Sequence, residues 1–323
     1  YVSVQIPLNI AYIAAAIEET GNEVKIIDFT VTRYEPYKLI QTIKEYNPEI
    51  IGISSMTHSI PKVKEISEII KETNKDIKVI LGGNHASALP KETLKELKEV
   101  DILIFGEGEN TIKDIVKKKD NRNIKGIAYR VGKTVVINEK QPLIRDLDEL
   151  PLPARHLFDY ERYNKGHVSR GISRKDKIIA ELLTSRGCPN QCIFCAGHIN
   201  YGQSVRFRSF ENIKEEIDSL IIDYDINHIS IEDDTFTLKK ELVSQVGRYL
   251  KSLNITWNCN ARVNTVNKVM LQEMKRNGLI KVSFGVESGS AEILKLIKKG
   301  ITLEQINNAF KWSRQCKIRF VEG

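Results

Sequence analysis

Three cysteines, Cys188, Cys192 and Cys195, lie close together in the chain at the spacing Cys-x-x-x-Cys-x-x-Cys. Cysteine thiolates are the usual protein ligands of iron–sulfur clusters that contain four irons. Three cysteines on one short loop can bind three of those irons and leave the fourth iron without a protein ligand. An open iron is a position at which a substrate or a cosubstrate can bind.

The residues around the cysteines indicate how the loop is positioned. Residues 178–184 form an aliphatic run of strand length that ends just before the loop, which is typical of a buried strand. Phe194 directly precedes the last cysteine of the three. The sequence therefore predicts that a strand delivers a metal-binding loop with an aromatic side chain inside it.

A zinc site is the main alternative for this loop. His198 follows Cys195 by three residues, so three cysteines and one histidine could form a closed zinc site. Zinc sites of that kind usually combine two separated pairs of ligands, whereas all four candidates here fall on one loop. Cys259 and Cys316 lie in apolar patterns, where a small buried side chain is expected. We therefore favour a single iron–sulfur cluster.

The composition is that of a cytoplasmic enzyme of about two domains. The net charge of +7 comes from lysines interspersed with glutamates, which is typical of solvated surfaces rather than of a nucleic-acid site. Five cysteines, three of them clustered, do not form a disulfide framework and indicate a reducing compartment. No apolar run approaches the ~18 residues that cross a membrane, and no signal peptide is visible. The chain lacks an initiating methionine, so we expect a fragment that lacks both ends.

The first part of the chain alternates between helical and strand patterns, which predicts an α/β fold with a doubly wound parallel sheet. The predicted strands are residues 23–28, 49–54, 78–82 and 101–105, followed by a hairpin at 126–130 and 134–138. Ligands bind such sheets outside the carboxyl ends of the strands. Small and polar residues cluster at these ends, and the candidates are Ser54, Ser55, Thr57, Gly82, Gly83, Asn84, Gly106, Glu107 and Gly108.

The second part repeats the order strand then helix, which predicts a further set of parallel strands. These strands are residues 178–184, 228–233, 255–261, 281–287 and 318–321. A polar, proline-bearing connection precedes them. We therefore expect a first domain at residues 1–138, a linker at 139–177 and a second domain at 178–323.

In order along the chain, these motifs resemble those of radical SAM enzymes that carry an amino-terminal cobalamin-binding domain. Besides the three cysteines, the resemblance rests on Pro-Leu-Asn-Ile-Ala-Tyr-Ile-Ala at 7–14, Gly-Gly-Asn-His-Ala at 82–86, Gly-Glu-Gly-Glu at 106–109 and Leu-Asp-Glu-Leu-Pro-Leu-Pro-Ala-Arg at 147–155. It implies a Rossmann-like cobalamin-binding domain followed by a truncated, partial (β/α)6 barrel. It also implies a [4Fe-4S] cluster, S-adenosylmethionine and cobalamin as cofactors.

The resemblance suggests roles for polar residues at the carboxyl ends of the barrel strands. Asp233 and Asp234 would bind the amino group of S-adenosylmethionine, and Glu287 with Ser288 would bind its ribose. The planar guanidinium of Arg262 matches the methionyl carboxylate. Phe194 would also contact this cosubstrate, and the candidates of the first domain would bind cobalamin.

Four further residues of interest have no assigned role from sequence. Arg206 and Arg208 follow the cysteine loop, and surface ion pairs are the ordinary expectation for them. The loop Asp-x-His-x-x-Gly, which places a histidine under cobalt in one class of cobalamin domains, does not occur in this chain. His58 and His85 are poor substitutes, because polar loop histidines are more often hydrogen-bonded than ligating.

The reaction that the resemblance implies is reductive cleavage of S-adenosylmethionine at the cluster, which gives a 5′-deoxyadenosyl radical. Cobalamin-dependent methyl transfer to an unactivated carbon is the favoured outcome, and oxidative cyclisation or carbon–carbon bond formation is the alternative. A non-catalytic cobalamin or metal sensor is an alternative of another class. The expected partners are a small-molecule, lipid, tetrapyrrole or peptide substrate and an electron donor such as flavodoxin or ferredoxin.

Overall fold

The structure is a computed structural model of the chain and describes residues 4–164, 168–169, 172–173 and 177–323. In the first part of the chain, the helices are α1 (Leu8–Glu18), α2 (Pro36–Tyr46), α3 (Ile60–Thr73), α4 (Asn84–Ala88), α5 (Pro90–Glu96) and α6 (Glu109–Val116). The strands there are β1 (Ile50–Ser54), β2 (Lys78–Gly82), β3 (Ile102–Ile104), β4 (Ile127–Val131) and β5 (Thr134–Ile137). No helix of the described residues is long and apolar enough to cross a bilayer.

These five strands form one sheet in the order β1-β2-β3-β4-β5. The first three strands are parallel, and the hairpin β4–β5 extends the same sheet antiparallel to β3. Ile80 and Ile102 pack with α1 and α6 on one face, whereas Val79 and Leu103 pack with α2, α3 and α5 on the other. Helices therefore cover both faces, and the prediction of a doubly wound sheet is confirmed.

The strand predicted at residues 23–28 is wrong, because the structure assigns no strand there. The alternation of side chains that suggested it is present, with Val24 and Ile26 half-buried and Ile27 exposed. Val24 and Ile26 pack against α1 and the segment around Ala154 instead of joining the sheet. Alternation reports which side chains face inward, but a strand also needs a neighbour to hydrogen-bond with.

The second part of the chain begins with the connection and continues into a new sheet. Its helices are α7 (Tyr160–Asn164), α8 (Gly197–Tyr201), α9 (Phe210–Tyr224), α10 (Lys240–Ser252), α11 (Lys268–Arg276), α12 (Ala291–Leu296) and α13 (Leu303–Gln315). Its strands are β6 (Val168–Ser169), β7 (Ile172–Ser173), β8 (Ile179–Leu182), β9 (Ser185–Arg186), β10 (Arg206–Phe207), β11 (His228–Ile231), β12 (Thr256–Ala261), β13 (Leu279–Phe284) and β14 (Phe320–Glu322).

Five of these strands form a parallel sheet in the order β14-β13-β12-β11-β8. Helices α9, α10 and α11 place Ile217, Val246 and Leu271 against buried strand residues such as Trp257. All five strands predicted for this part are present, and their ends differ from the prediction by at most three residues. The sequential order of parallel strands with helices on one face is that of a partial barrel.

Candidate functional site

The loop that carries the three cysteines, residues 187–200, is held between two short strands. β9 and β10 pair antiparallel, with Arg186 opposite Arg206, and they bring the two ends of this region together. Gly187 begins the loop with φ +95°, and a Cβ on it would lie 2.4 Å from the carbonyl oxygen of Ser204. Only glycine fits at this position, because a side chain would clash with the backbone of Ser204 and because a positive φ is unfavourable for other residues. We call residues 187–200 the cluster loop.

Each sulfur of the cluster loop accepts a hydrogen bond. Asn190 Nδ2 lies 3.3 Å from Cys188 Sγ, and the backbone nitrogen of Gly197 lies 3.4 Å from Cys195 Sγ. Arg262 Nη1 donates to Cys192 Sγ over 3.7 Å. Donors of this kind stabilise thiolates, which are the form that binds metals. None of these cysteines is in a disulfide, so the donor set fits an iron–sulfur cluster.

The described residues contain no group of three or more His, Cys, Asp or Glu side chains that is already gathered at metal-binding distance. This statement includes the three cysteines and His198, which is exposed on α8. The fit to a cluster therefore rests on the three thiols as metal ligands and on the hydrogen bonds that their sulfurs accept. It does not rest on a preformed cage of ligands.

Arg262 is buried at the edge of the cluster loop, at the carboxyl end of β12. Its Nη2 donates to the carbonyl oxygen of Lys299, and its Nε has no hydrogen-bond partner in the described part of the chain. A buried guanidinium nitrogen without an acceptor is costly and favours binding of an anion beside it. The position next to Cys192 is therefore suited to a carboxylate.

Lys299 lies between Glu287 and Phe194 and contacts both side chains. Lys299 Nζ lies 2.8 Å from Glu287 Oε1 and 5.6 Å from the centre of the Phe194 ring. The side chain of Phe194 is 52% exposed, so the ring is free to pack against a ligand. Ser288 follows Glu287 and accepts a hydrogen bond from Ser290 N at 3.1 Å.

The backbone of Glu287 is strained. Its φ is +69°, a left-handed conformation that costs a non-glycine residue about 1–2 kcal/mol. Strain of this kind persists at positions that the surrounding structure or a function requires. At this position after β13, where glycine would be the unstrained residue, the chain has a residue with a carboxylate side chain.

The two predicted aspartates lie in different environments. Asp233 is buried and accepts hydrogen bonds from Thr184 N at 2.7 Å, Thr184 Oγ1 at 2.6 Å and Ser185 Oγ at 2.5 Å. Burial raises the pKa of Asp233 above its ordinary value, against the effect of these donors. This carboxylate ties β11 to the chain just before the cluster loop.

Asp234 is exposed at the opening instead. A Cβ placed on Gly197 would lie 3.5 Å from Cys195 Sγ and 3.7 Å from Asp234 Oδ2, so this carboxylate lies near the cluster loop. Partial desolvation raises the pKa of Asp234. Of the two aspartates, Asp234 has oxygens that can reach a ligand.

The candidates of the first domain meet at the carboxyl edge of its sheet. Ser55 N and Oγ both donate to the carbonyl oxygen of Gly82, at 3.0 and 3.1 Å. A Cβ on Gly83 would lie 2.4 Å from the carbonyl oxygen of Ser55, so glycine is required for this close packing. No atom lies within 4 Å of where a Cβ of Gly82 would be. The edge thus presents an open surface above tightly packed backbone.

The exposed polar residues of this edge are Ser54, Thr57 and Asn84. Ser54 Oγ accepts a hydrogen bond from Asn9 at 3.1 Å. Thr57 Oγ1 lies 3.1 Å from His85 Nδ1, so this ring is already engaged. Asn84 accepts a hydrogen bond from Asn200 Nδ2, across the boundary between the two domains.

Residues of the turn that follows β3 make contacts within the first domain and with the second domain. Gly106 has φ +82° and its backbone nitrogen donates a hydrogen bond to Ser87 Oγ at 3.1 Å, and Gly108 precedes α6. Glu107 is buried and accepts hydrogen bonds from Arg206 and Arg186 of the second domain. Its carboxylate is therefore used between the domains, away from the open edge.

The cluster loop and the open edge of the first sheet face each other. Besides the contact between Asn84 and Asn200, Lys140 Nζ donates to the carbonyl oxygen of Ile199 at 3.1 Å. Helix α4 of the first domain packs against α8, the helix at the end of the cluster loop. A ligand on this edge would therefore lie beside the cysteines.

Sequence reasoning missed several residues of this region. The expectation of surface ion pairs for Arg206 and Arg208 is wrong, because both are buried and pair with Glu107 and Glu216. Lys299 and Arg186 were assigned no role. Arg186 could have been suspected from its position two residues before Cys188, but its acidic partners lie more than 70 residues away in the chain.

The chain matches two family models. The model of the B12 binding domain matches residues 2–116, and the model of the radical SAM superfamily matches residues 182–322.

Individual relatives match over nearly the whole chain. An uncharacterized methyltransferase of Pyrococcus horikoshii is 34% identical, over 96% of this chain and 66% of its own length. The anaerobic magnesium-protoporphyrin IX monomethyl ester cyclase of Rubrivivax gelatinosus is 28% identical, over 94% of this chain and 56% of its own. The solved structure of the cobalamin-dependent S-adenosylmethionine radical enzyme OxsB with aqua-cobalamin bound superposes with a TM-score of 0.83 at 22% identity, over 98% of this chain and 46% of that one. The chain thus spans less than two thirds of each.

Proposed function

The chain belongs to the radical SAM superfamily and carries a B12-binding domain, and we propose that it cleaves S-adenosylmethionine reductively to give a 5′-deoxyadenosyl radical. These two domains imply a [4Fe-4S] cluster, S-adenosylmethionine and cobalamin as cofactors. The observation that carries the proposal is the set of three hydrogen-bonded thiols beside the unpartnered Nε of Arg262.

The residues that would hold the cluster are Cys188, Cys192 and Cys195. Arg262 would bind the methionyl carboxylate, because its guanidinium contacts Cys192 Sγ through Nη1 and its buried Nε lacks an acceptor in the described residues. Asp234 would bind the amino group, with Asp233 fixing the strand end beneath it.

The ribose side of S-adenosylmethionine would be held at the end of β13. Glu287 can accept hydrogen bonds from ribose hydroxyls, and Ser288 adds a hydroxyl beside it. Lys299 orients the Glu287 carboxylate by its ion pair, and the exposed Phe194 ring would cover the cosubstrate from the cluster-loop side.

We further propose that the radical serves cobalamin-dependent methyl transfer to an unactivated carbon. When bound, the cluster supplies the electron that cleaves the sulfonium, and cobalamin supplies the methyl group. The open edge carrying Ser54, Thr57 and Gly82 would hold cobalamin. Contact between Asn84 and Asn200 supports the arrangement, because it brings that edge next to the cluster loop.

Oxidative cyclisation is the second candidate for the outcome of the radical step. It is favoured by the identity to a relative that is named as a cyclase. A non-catalytic sensor would keep the fold without the chemistry, and cleavage of S-adenosylmethionine by the reduced protein separates it from both enzymes.

We propose that residues 1–138 form the cobalamin-binding domain, residues 139–177 the linker and residues 178–323 the barrel. The substrate would be a small molecule, a lipid, a tetrapyrrole or a peptide. Flavodoxin or ferredoxin in the cytoplasm would supply the electron, and Ile193 and Phe194 are exposed on the cluster loop where such a donor could approach.

The test uses the full-length protein, reconstituted without oxygen and supplied with a reductant. Formation of 5′-deoxyadenosine, together with transfer of labelled methyl from S-adenosylmethionine to a candidate substrate, is the expected result. Cys195→Ala is the matched control and should abolish both products. Cleavage without any labelled product, but with an unlabelled product two hydrogens lighter, would favour cyclisation. Absence of cleavage by a protein that holds its cluster would refute the enzymatic function.

A further inference from the structure

Arg186 occupies a buried position between the two domains, two residues before Cys188. Its Nη2 donates to Glu109 Oε1 at 2.7 Å and its Nη1 to Glu107 Oε1 at 3.2 Å. Its guanidinium carbon lies 4.9 Å from the centre of the Tyr12 ring and 5.2 Å from that of Tyr201. Arg186 is therefore held by α1 and α6 of the first domain and by the end of the cluster loop.

Arg206 completes this group from the opposite strand. Its Nη1 donates to both oxygens of Glu107, at 2.9 and 2.8 Å, and to the carbonyl oxygen of Ile144 at 2.6 Å. Its Nη2 donates to the carbonyl oxygen of Tyr201 at 2.9 Å. Two arginines and two glutamates thus balance their charges inside the domain boundary, and we call these four residues the Arg186 group.

The charges of the Arg186 group are almost fully removed from water. The exposed fraction of the side chains is 3% for Arg186, 1% for Glu107, 6% for Glu109 and 8% for Arg206. Burial alone would lower the pKa of Arg186, but the charge of Glu109 and its other acidic neighbours raises that pKa above its ordinary value. Removing one member would leave a buried charge without its partner, which is strongly destabilising.

The backbone transmits the position of Arg186 to the first cysteine. Gly187 has no space for a side chain next to Ser204, and Cys188 N donates to the carbonyl oxygen of Gly202 at 3.4 Å. Only Gly187 separates Arg186 from Cys188, so we expect a shift of Arg186 to move Cys188 as well. The turn carrying Glu107 likewise begins at Gly106, which belongs to the open edge of the first sheet.

We propose that the Arg186 group fixes the distance between the cluster and the cobalamin, with Arg186 as a positioning residue for the cluster loop. This inference rests on the proposed function, because it needs both cofactors in the places assigned above. It adds a coupling between them. The turn at Gly106 and Glu107 borders the open edge of the first sheet, and Glu107 binds Arg186 and Arg206 on the two strands that flank the cluster loop.

The chain offers a matched control elsewhere. Glu216 is also buried and accepts from two arginines, Arg155 at 2.6 Å and Arg208. Glu216 lies on α9, and Arg155 also donates to the carbonyl oxygen of Glu181 on β8. Among the described residues no hydrogen bond or ion pair joins this second group to residues 187–200, and its nearest link to Arg186 is the contact of Arg208 Nη1 with the Tyr12 hydroxyl at 3.5 Å. Glu216→Gln should therefore cost stability as Glu107→Gln does, without altering the cluster loop.

The experiment compares the wild type with Arg186→Lys, Glu107→Gln and Glu216→Gln in the full-length holoprotein. Pulsed electron paramagnetic resonance measures the distance between the reduced cluster and bound cobalamin in its Co(II) state. We expect one narrow distance for the wild type and Glu216→Gln, and a broadened distribution for Arg186→Lys and Glu107→Gln. Unchanged distributions in the latter two variants, or equal broadening in all three, would overturn the inference.

Hydrogen exchange of the cluster loop gives a second readout that needs no cobalamin. Loss of one charge-assisted hydrogen bond should speed exchange of residues 187–200 about tenfold in Arg186→Lys and Glu107→Gln. If Arg186→Lys does not fold, Glu109→Gln removes a single contact and should show the same direction. Unchanged exchange refutes the inference alone. A wild type that holds its cluster but binds no hydroxocobalamin refutes the proposed methyl transfer as well.

Discussion

Arg262 Nη1 lies 3.7 Å from Cys192 Sγ and donates a hydrogen bond to it. The same guanidinium is anchored by the carbonyl oxygen of Lys299, while its Nε faces no acceptor among the described residues. One side chain thus touches the cluster ligand and offers a free donor to a neighbouring anion.

Replacing Arg262 by lysine should weaken binding of S-adenosylmethionine without loss of iron. Lysine keeps the charge but cannot donate to Lys299 and to a carboxylate in the fixed geometry of a guanidinium. We expect the dissociation constant to rise about tenfold, as for loss of one charge-assisted hydrogen bond. Equilibrium binding to the reconstituted protein measures this. Arg248→Lys, at an exposed ion pair, is the control and should bind normally.

Each cysteine of the cluster loop should be required for iron. Cys188→Ala, Cys192→Ala and Cys195→Ala should each lose the cluster, whereas the reconstituted wild type should hold about four irons and four sulfides. Cys259→Ala is the control, because burial raises the pKa of Cys259 and keeps it a neutral thiol away from the loop. Stoichiometric zinc in protein purified without oxygen, with no iron uptake, would contradict the assignment.

Replacing Glu287 should affect both the stability of the fold and cosubstrate binding. Its left-handed backbone is relieved by glycine but not by alanine, so Glu287→Gly should be more stable than Glu287→Ala by about 1 kcal/mol. Urea unfolding measures this difference in the free energy of unfolding. Both variants lose the ion pair to Lys299, so the comparison isolates the backbone.

Both Glu287 variants should also cleave S-adenosylmethionine poorly and bind hydroxocobalamin normally. Normal cleavage by either variant would remove Glu287 from the cosubstrate site.

His58 and His85 should not bind cobalt. His85 already contacts Thr57, and His58 is exposed in the turn after β1. The absorption spectrum of hydroxocobalamin bound to the full chain should therefore be the same in wild type, His58→Ala and His85→Ala. Loss of a nitrogen-ligand signature in either variant would show that cobalt is coordinated by that side chain.

Asp233 should make the stability of the barrel fall as the pH rises. Burial raises the pKa of Asp233 above its ordinary value, so the folded state retains a proton that the unfolded state loses. The contribution to stability is complete below that value and declines as the pH rises through the raised pKa. Asp233→Asn should flatten this decline, measured by urea unfolding between pH 3 and pH 7. An identical slope in the variant would mean that Asp233 ionises normally.

The sequence predicted the fold well where side chains report local geometry. The cysteine spacing, the aliphatic strands of the barrel and the helical stripes around Ile217 and Val246 all follow local periodicity, and the structure has them in place. Residues 23–28 failed because alternation shows which side chains face inward and does not show whether a neighbouring strand exists. The doubly wound sheet was predicted, but not the way in which the hairpin β4–β5 extends it.

The residues that organise the site were less accessible to sequence reasoning. Lys299 gains its role only through Glu287 and Phe194, which the fold brings together. Arg206 and Arg208 looked like surface arginines because nothing near them in sequence reveals that they are buried. Pairings such as Arg206 with Glu107 depend on how two domains dock, and periodicity carries no information about that.

The separation in sequence of the partners in the Arg186 group affects how the protein is made. Glu107 precedes Arg186 by 79 residues and Arg206 by 99. At about 5–20 residues per second, a ribosome needs roughly 4–20 s to add those arginines. During that interval the first sheet can form with Glu107 in water, where an unpaired carboxylate costs little. Its docking surface is completed only when the strands flanking the cluster loop have been synthesised, so the nascent chain can close this boundary before the last barrel strands exist.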